Sequence, residues 1–113
     1  MIPSQMLKGT LSGCILAIMS RRETYGYEIA ETLSRYGFGK VADGTIYPLL
    51  LRLEKNGLVD TEYRASELGP KRKYYRLTPK GAQELESFIE SYNELRIAVD
   101  STLKGGEENE QGS

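Results

Sequence analysis

The apolar residues of this chain change period, and that change limits the fold more than any other feature. Up to Leu53 they recur at spacings of three and four, the mark of helices with one buried face. From Val59 to Leu77 they alternate, as in half-buried strands, and after Thr78-Pro79 the helical spacing returns. The predicted order is helix, helix, helix, strand, strand, long helix.

Leu7, Leu11, Ile15 and Ile18, broadened by Leu16 and Met19, predict a first helix from about Ser4 to Ser20. A helix apolar on more than one side needs more than one surface to pack against, and a second subunit is one candidate. Thr24 is placed to cap a second helix, with Tyr27, Ala30 and Leu33 on one face and Ile29 at its edge. Gly37 and Gly39 should stop it near Arg35. Asp43-Gly44-Thr45 opens a third helix that buries Ile46, Leu49, Leu50 and Leu53 and closes at Asn56-Gly57. Pro48 is harmless in a first turn, and further in it costs a hydrogen bond.

Val59, Thr61 and Tyr63 form one side of a strand, and Lys73, Tyr75 and Leu77 one side of another. With a turn from Ala65 to Pro70 they make a two-stranded hairpin that must lean on the helices. Thr78-Pro79 is a cap with proline at the first helical position. The helix it opens carries Ala82, Leu85, Phe88 or Ile89, Tyr92, Leu95, Val99 and Leu103, a stripe too long for the first 80 residues to cover. Three regions follow: a body over residues 1–80, a helix over 81–104, and a disordered acidic tail over 105–113.

At 113 residues there is room for one modest core, which a partner would enlarge. The formal charge of −1 conceals an asymmetry. Residues 1–80 hold 13 Lys and Arg against 8 Asp and Glu, and residues 81–113 hold 2 against 8. A basic body attracts a polyanion whatever the total charge, because local field governs docking. The chain has one cysteine, Cys14, and no histidine, which weakens any zinc reading and favours a reducing, cytoplasmic setting. Cys14 reads as a small buried hydrophobe. No segment has the length of a membrane span, and nothing at the start resembles an export signal. No acid–base pair with an orienting partner is recognisable, so the chain is expected to be no enzyme, with no metal and no cofactor.

The second and third helices fit a helix-turn-helix unit whose later helix enters the major groove. Thr45, Tyr47 and Arg52 are the candidates on its outward side, with a hydroxyl, a ring and a cation for bases or phosphates. The hairpin adds Lys71-Arg72-Lys73, three consecutive cations suited to phosphates or a minor groove. The expected fold is mostly α with a two-stranded β wing: a winged helix-turn-helix body and a long C-terminal dimerisation helix. Leu7, Leu11, Ile15, Phe88, Leu95 and Val99 are the expected dimer contacts, forming a homodimer that binds double-stranded DNA. Where two terminal helices approach, Tyr92 with Ile15 and Phe88 is expected to line a site for a small aromatic effector, with Arg96 at its rim. The alternatives are a protein-binding adaptor on the same scaffold, or a regulator without a small-molecule sensor.

The stretches Tyr25-Gly26-Tyr27-Glu28-Ile29, Asp43-Gly44-Thr45-Ile46-Tyr47-Pro48-Leu49-Leu50, Arg52-Leu53-Glu54, Gly57-Leu58-Val59 and Gly69-Pro70-Lys71-Arg72-Lys73-Tyr74-Tyr75, with Leu77-Thr78 and Gly81, closely resemble the PadR family of regulators. The resemblance spans about residues 7 to 100 and looks like the short type with one terminal helix. It implies a winged-helix dimer that represses its promoter and often answers to a small molecule. It also implies backbone support on DNA from the neighbourhood of Tyr25 and Tyr27. Multidrug-responsive members have tryptophan where Tyr92 falls and an acidic residue near Arg96, so this chain departs from them at that site.

Overall fold

The computed structural model describes residues 1–112, and side chains for residues 1–105. The expected acidic tail, 105–113, therefore lies outside the described side chains from residue 106 on. The elements are α1 (Ser4–Leu7), α2 (Leu11–Arg21), β1 (Thr24–Tyr25), α3 (Gly26–Leu33), α4 (Asp43–Lys55), β2 (Val59–Ser66), β3 (Gly69–Leu77) and α5 (Pro79–Gly112).

The single first helix of the sequence reading is two. Lys8 is extended at ψ 132° and Gly9 takes φ +85°, a left-handed conformation that ends α1 before α2 begins. The α2 segment buries Leu11, Gly13, Ile15, Leu16, Ile18 and Met19. It touches α3, β3 and α5, so its several apolar sides are met within one chain.

Thr24 is not a helix cap. It belongs to a short strand, is almost wholly buried, and donates its hydroxyl to Glu28 Oε1 at 2.7 Å. The buried face of α3 is Gly26, Ile29, Thr32 and Leu33, so Tyr27 points outward rather than to the core. After Leu33 the chain widens into a π-type turn, Ser34–Phe38, instead of stopping at Arg35.

Helix α4 buries Ile46, Leu49, Leu50 and Leu53, as its spacing requires. It starts at Asp43, whose carboxylate suits the positive end of the helix. Pro48 consequently falls in the second turn, where it offers no N–H to the Gly44 carbonyl. At the other end Gly57 takes φ +76°, and Leu58 N–H bonds Leu53 O at 3.0 Å while Gly57 N–H bonds Glu54 O at 3.0 Å. This pair of bonds ends the helix and turns the chain into β2.

The sheet has three strands in the order β1-β3-β2, all antiparallel, where alternation had suggested two. Two residues, Thr24 and Tyr25, are too few to show a period, which is why β1 was not visible. The β2–β3 turn is confined to Glu67-Leu68, with an irregularity between Arg64 and Ser66. Tyr75, Val59 and Leu58 join the helical residues in one core.

Thr78 anchors α5 as expected. Its hydroxyl donates to Gly57 O at 2.7 Å and accepts Gly81 N–H at 3.0 Å. Two glycines set how closely α5 docks: the Phe88 ring lies directly on Gly13, and the Leu58 carbonyl lies on Gly81. Beyond Phe88 the apolar residues of α5 are exposed among the described side chains. Among the described residues no helix is long and apolar enough to cross a membrane.

Gly81→Ala should lower stability by about 2 kcal/mol, since its methyl meets a backbone oxygen that cannot move without disturbing the α4–β2 joint. Urea unfolding of the two proteins measures this, and equal midpoints would refute the close approach.

Candidate nucleic-acid interface

The site is built on α4. With Ile46, Leu49, Leu50 and Leu53 in the core, helical geometry turns Gly44, Pro48, Leu51 and Lys55 straight outward, and all four are exposed. Thr45 and Arg52 flank that face on one side and Tyr47 on the other, and they too are exposed. Thr45, Arg52 and Tyr47, the candidates named from the sequence, are thus the edges of the face, and its centre lies between them. Leu51, 60% exposed, and Pro48 are apolar groups held in water on a helix whose other side is fully packed. The signal was available, because the buried set alone fixes what lies opposite.

Thr45 does not cap α4. The cap position is Ala42, and the Thr45 hydroxyl makes no hydrogen bond among the described residues. Tyr47 is 45% exposed, and its ring rests on Gly26, where any side chain would collide with it. One residue therefore locks the start of α3 to the start of α4 and still shows its edge to solvent. Tyr27 stands beside it, 64% exposed on the first turn of α3. Arg52 makes no ion pair among the described residues, since Glu54 and Glu28 are taken by Lys73 and Arg22.

The wing divides its three cations. Lys71 and Arg72 are exposed, whereas Lys73 turns to Glu54 of α4 with Nζ–Oε1 at 2.8 Å. Thr61 donates to the other Glu54 oxygen at 2.9 Å. Lys73 is therefore a brace between wing and helix, whereas Lys71 and Arg72 make no ion pair among the described residues. The hydrogen bond from Lys73 holds the Glu54 carboxyl below its usual range, and the same bond holds the Lys73 ammonium above its own. Arg72 lies over the Tyr25 ring at 4.6 Å, and Tyr25 meets Tyr74 edge-on at 5.4 Å. Arg64 covers Tyr74 at 4.5 Å and is held by Glu23 and Glu62. Tyr25 thus sets the direction of Arg72, a role the sequence could not show. A cleft of about 410 Å³ between the Tyr47 ring, Leu51 and the wing separates the two halves of this surface.

The second group of candidate residues lies along α5. Leu95 and Val99 are 54% and 44% exposed, and Leu7 and Phe88 are half-buried. Leu11 and Ile15 are already core residues of the single chain, so they support an apolar face from beneath and do not present it. Phe88 and Tyr92 stack with centroids 6.1 Å apart beside a groove of about 430 Å³. Arg96 lines that groove and lies 3.9 Å from Asp100. Ile15 does not line it, being wholly covered; its neighbour Cys14 does, with burial pushing the thiol up and away from reactivity. No group of three potential metal ligands occurs among the described residues.

Glu54→Gln keeps the shape of the brace and removes its charge. The Glu54 contribution is present above the ordinary carboxylate range and lost as pH falls through its lowered value. That of Lys73 is lost only as pH rises through its raised value. The substitution should cost about 0.5 kcal/mol at neutral pH, where the partly exposed pair is complete, and almost nothing in strong acid. Urea unfolding at the two pH values checks this, and a pH-independent difference would contradict it.

The family model for the transcriptional regulator PadR-like family matches residues 15–87. The Mycobacterium tuberculosis transcriptional regulator Rv3488 is 38% identical over 85 residues, covering 75% of this chain and 78% of its own. The crystal structure of a PadR-like transcriptional regulator from Bacillus cereus is 50% identical, covers 88% of this chain and 96% of its own, and superposes with a TM-score of 0.78. A Streptococcus transcriptional regulator is 41% identical with a TM-score of 0.77, covering 87% and 96%. The winged-helix body, the wing and the matched residues agree: this chain is a transcriptional regulator belonging to the PadR-like family.

Proposed function

We propose that this chain is a dimeric repressor that reads duplex DNA with α4 and grips the backbone with its wing. The observation that carries the reading is the exposed face of α4 beside the two free wing cations, Lys71 and Arg72. Pro48, Leu51 and the Thr45 methyl suit thymine methyl groups in the major groove, and Tyr47 and Arg52 suit base edges or phosphates at its sides. Tyr25 acts through Arg72, and Tyr27 lies where α3 would cross the backbone. A protein-binding adaptor would not need exposed cations on the same side as an unpaired helix face.

Two readouts separate these roles, with DNA upstream of the gene and random duplex followed by fluorescence anisotropy over a salt series. Replacing Lys71 and Arg72 by alanine removes four cations from the dimer and should weaken both duplexes and flatten the logarithmic salt slope by about 4. Leu51→Ala should leave the slope alone and cut the preference for the specific duplex roughly tenfold, with deoxyuridine for thymine reproducing the loss in the native protein. An unchanged slope in the first variant would take the wing off the DNA.

The apolar stripe of α5, from Ile89 through Leu95 and Val99 to Leu103, is surface that a lone chain leaves in water. Two copies joined along it, with Leu7 and Phe88 at the seam, would set the α4 helices about 34 Å apart, one turn of DNA. The stacked Phe88 and Tyr92 rings then form the wall of a site for a small aromatic effector that releases the repressor. Leu95→Asp should give a monomer by equilibrium sedimentation and abolish binding to the specific duplex. A monomeric native protein at micromolar concentration would contradict the dimer.

A further inference from the structure

The wing ends in a leucine that the fold itself does not use. Glu67-Leu68 joins β2 to β3, and Leu68 is fully exposed, more so than any other large apolar side chain described except Met1. Two-residue turns between strands favour Asn, Asp and Gly, whereas neither residue here is of that kind and neither takes a positive φ. Turn geometry therefore gives no reason for a leucine at this position, and burial gives none.

The neighbourhood of Leu68 shows what it is placed to meet. Every residue from Glu67 to Arg72 is exposed, so the end of the wing stands clear of the body. The pairing irregularity between Arg64 and Ser66 adds twist just behind that end. Lys71 and Arg72 make no ion pair among the described residues, and they sit back from a tip whose one charge is that of Glu67. A flat row of phosphates calls for cations at the tip itself. A groove with phosphates along its rims suits cations set back behind an apolar end. From Lys71 to Gly69 the strand advances about 7 Å. The minor groove is about 7.5 Å deep, so cations at its rim bring Leu68 to its floor.

We infer that Leu68 is a wedge that enters the minor groove between base pairs and kinks the DNA this protein binds. This role rests on the DNA reading proposed above and adds a second source of sequence preference to it. An apolar side chain pressed between bases parts the stack and bends the duplex toward the major groove. The cost depends on the step being opened: pyrimidine–purine steps yield readily, and A-tracts are stiff. Specificity then arises at bases that no side chain of α4 touches. A CA/TG step suits the tip best, because its guanine amine is the one donor on the minor-groove floor and the Glu67 carboxylate stands beside the wedge to accept it.

Energy transfer between dyes on the two ends of a short duplex from upstream of the gene reads the bend in the complex with the full chain. The native protein should bend that duplex by about 20° or more. Leu68→Ala should leave it nearly straight with an unchanged salt slope, because no phosphate contact is lost, and Leu68→Phe should keep the bend. Leu68 lies outside the core, so both variants fold. Two further duplexes carry CA/TG steps or A-tracts on either side of the bases facing α4. The native chain should prefer the first about tenfold. Leu68→Ala should lose or reverse that preference, since the wing cations alone favour a narrow groove. A straight duplex under the native chain, or a bend that Leu68→Ala keeps, overturns the wedge and leaves the DNA reading standing. Equal native binding to the CA/TG and A-tract duplexes overturns its part in sequence preference. A native chain that binds no duplex contradicts the DNA reading and the wedge with it.

Discussion

Helix α2 is surrounded, and the rest of the molecule depends on that. Ile15 and Leu16 are almost wholly covered, with Leu11, Ile18 and Met19 close behind, because α3, β3 and α5 approach from different sides. Burying a large aliphatic side chain is worth about 1.5–3 kcal/mol, so this one helix supplies much of what a core of this size has to offer. Gly13 on the same helix lets Phe88 lie flat against it, which fixes the root of α5. The first half of the chain and the terminal helix are in this way referred to one rod.

From that rod the reading surface is placed through two small joints. The Tyr47 ring on Gly26 ties α4 to α3, and the Glu54 carboxylate ties α4 to both strands of the wing through Thr61 and Lys73. Each joint uses a side chain at the margin of the outward face. The face itself is left with small, apolar or unpaired groups: Gly44, Pro48, Leu51 and Lys55. A surface rigid at its edges and unsatisfied at its centre suits a partner that supplies methyl groups and phosphates together. The position of Pro48, one turn into α4, leaves the Gly44 carbonyl without its usual donor on that same face.

Much of this was legible in the sequence, and the limits are physical. The buried faces of α4 and of the root of α5 followed from spacing, because those helices have one core side each. The phase of α3 did not, since Tyr27 is as apolar as a core residue and helical spacing cannot say which aromatic is covered. Gly9 and its left-handed backbone cut a helix that periodicity alone ran straight through. Lys71, Arg72 and Lys73 are equivalent as text, and only the strand register sends Lys73 to Glu54 and Arg72 over Tyr25. Leu11 and Ile15 marked an apolar helix correctly, but a spacing pattern does not say whether the cover comes from the same chain or from another.

In the proposed dimer, two copies present α4 to successive major grooves on one side of a duplex. Hydroxyl-radical footprinting on the DNA upstream of the gene tests it most directly. Two protected patches are expected, related by a two-fold axis and centred about 10 base pairs apart on one face of the helix. A single patch, or continuous protection without that spacing, would contradict it.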